Sequence, residues 1–366
     1  MCVKSVRQLT FLVSCLVLAA CVSSSPSQAD SADATQPTPT PTASSTTVVR
    51  TLDFDNDRLR GDQVFAVPYG EARSRIGYIP PCRSCADPCP CTVPLQPSSF
   101  DVDIGGHLWI LDIAKERVAE FDAESTYVSS WKQNGIGLRS TDLQVDESRQ
   151  TVLWQDRGFF SRLAVREDGS GRSIRVEHKG EPQQGGSTFV LKGNIGYLNV
   201  FIEEQPGSEE ESVLAFSLAD GAGQIAKGRP FLDGWLLFRP YERPRVIPLA
   251  VESTQQNWDV TLKLQIRRTV GGESRTARGH VSWETEVSPN GDIHLLIAAS
   301  IERERLHGYW YIEVSPDGTV SNPVPLSGPT RRDDQQARRL TLGPDGRPLF
   351  MWLMKKRIVV ESLPSA

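Results

Sequence analysis

The chain has 366 residues, of which 39% are hydrophobic and 23% charged, and its formal net charge is −5. This composition can bury a large core in one or two domains, which excludes disorder for most of the chain. The acidic balance excludes a protein that is drawn by charge to nucleic acid or anionic lipid, so we expect no nucleic-acid partner.

Residues 1–20 have the pattern of a secretory signal peptide. Lys4 and Arg7 give a positive start, and the mostly apolar run Leu9–Ala20 is too short to span a bilayer. Leu18-Ala19-Ala20-Cys21 also resembles the lipobox of bacterial lipoproteins, which implies cleavage before Cys21 and a diacylglycerol on its sulfur. The alternative is ordinary cleavage near Ala20. We expect the lipid, because a cysteine has no structural role in a disordered tail.

The next segment, 21–50, is predicted to be a disordered tether. From Val22 to Thr47 it contains almost only Ser, Thr, Pro, Ala, Asp and Gln, with a Pro-Thr repeat at 37–42. Such a composition offers too little apolar surface to fold, and its prolines keep it extended. We therefore expect a bacterial cell-envelope protein that is anchored in the membrane through Cys21. Its folded domain, 51–366, lies outside the cytoplasm in this interpretation.

Four cysteines stand close together near the start of that domain: Cys82, Cys85, Cys89 and Cys91. In an exported chain the oxidising compartment favours two disulfides, and the sequence does not choose among the three pairings. A metal site and a redox pair are the alternatives, although the spacing lacks the two separated knuckles of a typical structural zinc site. We predict a disulfide-closed loop at 82–91.

From Ser98 to Trp131, apolar and polar residues alternate, and turn residues interrupt them every few positions. This pattern predicts four short antiparallel strands, at Phe100–Asp103, Leu108–Asp112, Arg117–Asp122 and Thr126–Trp131. A single four-stranded meander cannot bury both of its faces. It therefore needs neighbours of the same kind to complete a core.

Units of the same kind recur at spacings of about 43 to 55 residues, the length of a four-stranded propeller blade. Their clearest marker is a third strand that precedes a turn or the chain end: Arg117–Asp122, Ser161–Arg166, Ser212–Leu218, Val260–Ile266, Tyr309–Val314 and Arg357–Leu363. We predict an all-β fold, a six-bladed β-propeller. A pair of β-sandwich domains is the alternative, but the repetition of whole units favours the propeller.

The last unit lacks a fourth strand, whereas the segment before the first unit contains surplus strands. We therefore expect an N-terminal strand, either Gln63–Val67 or Arg75–Ile79, to close the last blade. A second expectation concerns Arg331–Arg339. This run mixes both signs of charge, which predicts a solvated loop between the fifth and sixth units.

The first unit resembles an NHL-type β-propeller repeat. The resemblance rests on Pro97–Asp103, Gly106, Leu108–Asp112, Arg117-Val118 and Phe121-Asp122, with Lys115-Glu116 where the family usually places Asn or His before the Arg. Val67–Gly70 and Ile76–Ile79 also resemble the lead-in of bacterial exported members. The resemblance implies a six-bladed ring around a central channel. It implies no particular activity, because the fold carries binding proteins, lactonases and lyases alike.

Polar residues on the innermost strands are the first candidates for chemistry. Asp101 and Asp103 share one side of the first inner strand, and Gln144 and Asp146 lie on the second. Asp101, Asp103 and Asp146 are therefore candidate ligands of Ca²⁺, which prefers six to eight oxygens. The alternative, which we favour, is that aspartates here cap turns. Among later inner strands, the nearest carboxylates are those of Glu284 and Glu286.

No other motif predicts catalysis or a resident cofactor. The spacings of the five histidines select no common strand face, so they predict no catalytic zinc: His107, His178, His280, His294 and His307. The sequence has neither a Gly-x-Ser-x-Gly elbow nor a phosphate-binding glycine loop.

These observations favour a monomeric, membrane-anchored binding or scaffold protein whose partner is a protein, peptide or glycan. We expect no catalytic residue. The alternative is a metal-dependent hydrolase or lactonase of the propeller type, with its metal on Asp101, Asp103 and Asp146. A structural spacer is a third class. A rigid loop at 82–91 would suit recognition, because it loses little entropy on binding.

Overall fold

A computed structural model describes residues 44–80, 95–132, 140–146, 150–156, 160–167, 170–177, 181–182, 189–205, 208–238, 245–301, 304, 306–329 and 338–364. These ranges lie in one compact unit, Thr42–Ala366. They contain 27 strands and one 3-10 helix, Ile113–Lys115, so this part of the chain is almost entirely β. None of its helical segments is long and apolar enough to cross a membrane.

Two strands precede the repeated units: β1 (Ser44–Asp53) and β2 (Asp62–Pro68). Within the described ranges the strands form six sheets, which we number in chain order. Sheet 1 contains β3 (Ser99–Val102), β4 (Leu108–Asp112), β5 (Arg117–Phe121) and β6 (Tyr127–Lys132). Sheet 2 contains β7 (Ser140–Val145), β8 (Thr151–Asp156), β9 (Phe160–Glu167) and β10 (Ser170–Glu177). Both sheets are antiparallel meanders.

Sheets 3 and 4 each carry additional strands. Sheet 3 contains β11 (Glu181–Pro182), β12 (Phe189–Lys192), β13 (Ile195–Gln205), β14 (Ser208–Ser217) and β15 (Gly223–Ala226), with β11 and β12 on different parts of β13. Sheet 4 contains β16 (Arg229–Phe231), β17 (Gly234–Phe238), β18 (Val246–Glu252), β19 (Asn257–Val270) and β20 (Glu273–Thr276). The N-terminal strand β1 extends sheet 4 by pairing in parallel with β19.

Sheets 5 and 6 complete the set. Sheet 5 contains β21 (His280–Val287), β22 (Ile293–Ile301), β23 (Leu306–Val314) and β24 (Val324–Leu326). Sheet 6 contains β25 (Leu340–Leu342), β26 (Pro348–Leu353) and β27 (Arg357–Ser362), and β2 pairs with β27 as its fourth strand. Of the two candidates for the closing strand, Gln63–Val67 therefore takes this place. Arg75–Ile79 instead contributes only two bridges, Tyr69 with Ile76 and Ile79 with Leu95.

The sheets pack face to face because their strands are apolar on both sides. In β4 every residue is buried, and alternate side chains enter different clusters. Leu108 and Ile110 pack in a cluster with residues of β26, whereas Trp109 and Leu111 pack with residues of β7 and β8. Sheet 1 is thereby held between sheets 6 and 2.

The first strands of successive sheets lie side by side, in the order β21, β25, β3, β7 and β12. The Leu143 N–H donates to Ser99 Oγ at 3.1 Å, and the Val145 N–H donates to Asp101 Oδ2 at 2.8 Å, so both bonds join residues 44 apart. This constant offset means that β3 and β7 run in the same direction.

Sheet 4 is linked to both of its neighbours in the chain. Lys192 Nζ, at the end of β12, donates to the Leu232 carbonyl at 3.2 Å. Arg229 Nη1 on β16 donates to the Thr285 carbonyl of β21 at 3.4 Å. Each sheet is thus bonded or packed to the next one in the chain, and sheet 6 packs against sheet 1.

Two predictions need correction. The tether was expected to extend to residue 50, but residues 44–50 belong to β1, because a Ser/Thr/Val segment forms a good strand once β19 offers it an edge. Arg331–Arg339 was expected to be solvated, yet Arg338 is completely buried. The signal peptide, Cys21, the four-cysteine segment, His178 and residues 331–337 lie outside the described residues.

Candidate functional site

The first strands bring a cluster of charged side chains together where sheets 1, 2, 5 and 6 meet. We call Asp101, Asp142, Glu284, Glu286 and Arg338 the central cluster. All five are buried, and Arg338 is 0% exposed. Charged groups are rarely buried to this degree unless they are paired, so their partners define what the cluster can do.

Arg338 is the cation of the central cluster. Its Nε and Nη2 donate to Asp142 Oδ1 and Oδ2 at 3.0 and 2.9 Å, in the two-pronged geometry that suits guanidinium and carboxylate. Nη1 donates to Glu286, and Nη2 also donates to the Phe189 carbonyl at 2.7 Å. The Arg338 N–H donates to the Ser98 carbonyl at 3.2 Å. This one residue therefore joins sheet 6 to sheets 1, 2, 3 and 5.

Asp142 is saturated with donors. Besides Arg338, it accepts the Ser99 hydroxyl at 2.6 Å and the N–H groups of Leu143 and Phe189, each at 2.9 Å. Both carboxylate oxygens thus have at least two partners, which leaves little capacity for a further ligand.

Asp101 and Glu284 hold neighbouring first strands together. Asp101 accepts the Thr341 hydroxyl at 2.6 Å in addition to the Val145 N–H. Glu284 accepts the N–H groups of Arg339 and Leu340 at 2.6 and 3.1 Å, and Arg339 Nη1 at 3.1 Å. In each case a carboxylate on one first strand satisfies a backbone donor of the next sheet.

Burial raises the pKa of three carboxyl groups of the cluster. It raises the pKa of Asp101 and of Glu284, with nearby arginines opposing the shift. For Glu286, burial outweighs the attraction of Arg338, which also serves Asp142, and the pKa rises to about 7. The cluster therefore holds one carboxyl group that changes charge near neutral pH.

The structure does not group the three candidate calcium ligands with one another. The described part of the chain contains no group of three or more His, Cys, Asp or Glu side chains that could hold a metal ion. Asp103 accepts the His107 N–H at 2.9 Å and Trp109 Nε1 at 3.0 Å, and Asp146 accepts the Gln150 N–H at 2.7 Å. Asp103 and Asp146 thus cap the turns that follow β3 and β7, and only Asp101 belongs to the central cluster.

A second polar group continues from the cluster across sheet 5. His294 of β22 lies in register with Glu286 of β21 on one side and Glu313 of β23 on the other. Its Nδ1 is 2.7 Å from the Tyr311 hydroxyl, which donates to Glu313 Oε2 at 2.8 Å. Burial lowers the pKa of His294 and raises that of Tyr311, so both side chains are held neutral. Glu313 is 40% exposed and leads this row to the surface.

The other described histidines lie apart from this row. His107 Nδ1 is 2.8 Å from Glu120 Oε1, His280 is exposed, and His307 packs edge-on against Tyr309. The most important residues that the sequence did not identify are Arg338, Asp142 and Tyr311. A signal did exist for Arg338, because it stands directly before the buried strand β25, where the mixed-charge run ends.

The comparisons with known proteins identify no family. Neither the protein-family models nor the curated proteins contain a match to the sequence. Among solved structures, the chain is similar to virginiamycin B lyase from Staphylococcus aureus, with 9% identity over 72% of this chain and 94% of that one, at a TM-score of 0.38.

Two further solved structures have similar scores. They are a regucalcin from Agrobacterium tumefaciens (12% identity, 74% and 92% coverage, TM-score 0.39) and a putative 6-phosphogluconolactonase from Bacteroides fragilis (12%, 74% and 88%, 0.39). All three are propeller-type proteins. Likeness at this level assigns no activity to the chain.

Proposed function

We propose that the protein is a six-bladed β-propeller that is anchored to a bacterial membrane through Cys21 and acts as a binding or scaffold module of the cell envelope. Its partner in this proposal is a protein, peptide or glycan. The observation that carries the proposal is the complete burial of Arg338, whose ion pairs occupy the place where the first strands of five sheets meet.

A closed ring is supported by the contacts between sheets. The first strands follow one another from sheet 5 through sheets 6, 1 and 2 to sheet 3, and sheet 4 is bonded to both sheet 3 and sheet 5. Because β2 adds the outer strand of sheet 6, a strand from before the first unit pairs with β27 of the last unit. This type of closure leaves no long unpaired edge at the junction.

The bonding of the carboxylates argues against a metal-dependent hydrolase or lactonase at the channel. A channel metal needs oxygen ligands with free lone pairs, but Asp101, Asp142 and Glu284 use most of theirs to accept protein donors. Arg338 also supplies the positive charge that a divalent ion would otherwise bring. Ligand recognition therefore belongs at the ends of the sheets, where the connecting loops lie.

The segment before the cysteine-rich loop is held by hydrogen bonds at one such end. The N–H groups of Gly77 and Ile79 are bonded to Asp112 at 3.1 Å and to the Leu95 carbonyl at 2.9 Å. Leu95 in turn donates to the Ile79 carbonyl at 2.9 Å. Ile79 and Leu95, which stand on either side of the cysteine-rich segment in the sequence, are thus paired with each other. This pairing supports the recognition role that we propose for the segment.

The first test is mass spectrometry of the processed, secreted chain in detergent. We expect a denatured mass that includes the lipid on Cys21 and lies about four hydrogens below the reduced value, as two disulfides require. After addition of Ca²⁺ or Zn²⁺, the native spectrum should retain no stoichiometric ion. One bound ion per chain that is lost in Asp101→Asn would support the hydrolase instead.

The second test looks for the partner directly. A photo-crosslinking amino acid at Tyr78, shortly before the cysteine-rich loop, is compared with one at Ile225 on the outer strand of sheet 3; the two side chains are 43% and 53% exposed. In intact cells we expect a discrete adduct at Tyr78 and none at Ile225. Calcium-dependent hydrolysis of simple lactones, without adducts at either position, would overturn the proposal.

A further inference from the structure

The hydrogen-bond row across sheet 5 fixes the tautomer of His294. The Tyr311 hydroxyl has one proton, and it donates that proton to the carboxylate of Glu313 at 2.8 Å. The Tyr311 oxygen can then only accept from His294 Nδ1, which is 2.7 Å away. In its neutral form, His294 therefore carries its proton on Nδ1, and Nε2 has a bare lone pair.

That lone pair is buried. His294 is 4% exposed, and no group in the described part of the chain forms a hydrogen bond with Nε2. The two ring nitrogens diverge from Cε1, so Nε2 does not point toward Tyr311, which is bonded to Nδ1. On β21, Glu286 lies in register with His294, at a Cβ separation of about 5 Å for such a pair. Glu286 Oε1 is taken by Arg338.

We propose that one buried water molecule bridges His294 Nε2 and the Glu286 carboxyl group. The water donates one hydrogen to Nε2 and the other to Glu286 Oε2, which satisfies the buried Nε2 lone pair. The bridge completes a continuous row that runs from Glu313 at the surface through Tyr311, His294 and Glu286 to Arg338 at the centre.

This row of hydrogen bonds makes the contact between sheets 5 and 6 sensitive to pH. Glu286 and Glu284 face His294 from β21, Asp292 precedes it on its own strand, and Tyr311 and Glu313 face it from β23. On the side of sheet 6, the apolar residues Leu340 and Phe350 pack at this contact. Arg338 and Arg339 stand directly before β25.

Burial acts on the two bridged groups in opposite directions. It lowers the pKa of His294 and raises that of Glu286 to about 7. On acidification, Glu286 therefore takes up a proton before His294 does. The protonated carboxyl group then donates to the water, and the water still donates to Nε2. The bridge survives, but Arg338 loses one of its counter-charges.

The test is nitrogen NMR of the full-length chain with ¹⁵N-labelled histidine, with His294 assigned by the loss of its signals in His294→Gln. We expect the pattern of an Nδ1–H imidazole at pH 7 and, in Tyr311→Phe, a mixture of tautomers. An Nε2–H pattern in the unmodified chain would overturn the proposal, since Nε2 could then not accept from water.

A high-resolution crystal structure provides the second readout. We expect one ordered water within hydrogen-bond distance of both His294 Nε2 and the Glu286 carboxyl group, and its loss in Glu286→Leu. A direct contact between the two side chains, or an empty gap between them, would contradict the bridge even if the tautomer were as expected. The isosteric Glu286→Gln should keep the water, because its amide oxygen still accepts.

Discussion

Among the arginines that the structure describes, Arg338 stands out because its side chain is completely removed from water. Its guanidinium satisfies Asp142 through two bonds and Glu286 through a third. Taking such charges out of water is costly, and only the geometry of the pairing offsets that cost. Removing one partner leaves the others buried and uncompensated, so the residue is far more sensitive to substitution than a surface arginine.

We therefore expect Arg338→Met to lower the free energy of unfolding by about 3–5 kcal/mol, measured by urea denaturation. The matched control is Arg347→Met, because Arg347 pairs with Asp345 while both side chains are about half exposed. The control should change stability by no more than about 0.5 kcal/mol. Equal effects of the two substitutions would contradict the assignment of Arg338 to a desolvated cluster.

Glu286 and His294 should make the free energy of unfolding depend on pH in opposite directions. For Glu286 the pKa in the folded chain is raised from 4.5 to about 7, so its contribution to stability is lost as pH rises through this window. His294 has a lowered pKa in the folded chain, so its contribution is lost as pH falls below its ordinary value of 6.5.

Relative to the unmodified chain, Glu286→Gln should therefore become more stable as pH rises from 4.5 to 7, whereas His294→Gln should become more stable as pH falls. Urea midpoints of the three chains at several pH values in this window check the prediction. A parallel displacement of all three curves would mean that neither group has a shifted pKa.

At the scale of the element, local pattern determines most of sheet 1. The alternation of apolar and polar residues predicts each of its strands to within one residue at both ends, because every partner strand is a short hairpin away. Strand β1 is different. Its partner β19 lies more than 200 residues further along the chain, and its Ser/Thr sequence is equally typical of a disordered tether.

Whether a residue's partners are local or remote in sequence also decides which site residues could be predicted. The capping role of Asp103 follows from a local Asp-Ile-Gly-Gly-His turn, in which the aspartate accepts the N–H four residues ahead. The burial of Arg338 depends on strands from three other sheets, which no local pattern contains.

The strand β2 offers a direct test of the closure of sheet 6. Phe65 is buried in the cluster that joins sheets 6 and 1, whereas its neighbour Val64 is 40% exposed. We expect Phe65→Ala to lower the free energy of unfolding by about 3–5 kcal/mol, because it leaves a cavity in that cluster. Val64→Ala, the control on the same strand, should stay within about 0.5 kcal/mol of the unmodified chain. Similar small effects would show that β2 is only loosely attached.

At the scale of the whole molecule, the start of the domain fastens three sheets to one another. β1 pairs with sheet 4, Leu59 is bonded at 2.8 Å to Pro325 and Ser327 beside β24 of sheet 5, and β2 completes sheet 6. Together with the bonds of Arg338, these contacts make each sheet depend on sheets that are remote in sequence. Such a molecule should unfold as one cooperative unit, whereas a pair of β-sandwich domains would unfold in two steps.

Fluorine NMR of chains that contain fluorotryptophan can distinguish these cases. Trp109, Trp258, Trp310 and Trp352 report on sheets 1, 4, 5 and 6, and substitution of each by Phe assigns its signal. We expect all four signals to disappear at one urea concentration. Phe65→Ala should shift all four midpoints equally, because a local loss in sheet 6 weakens a closed ring as a whole. If the midpoint of Trp258 stayed in place while that of Trp352 fell, sheets 4 and 6 would belong to separate units, and the proposed ring would be wrong.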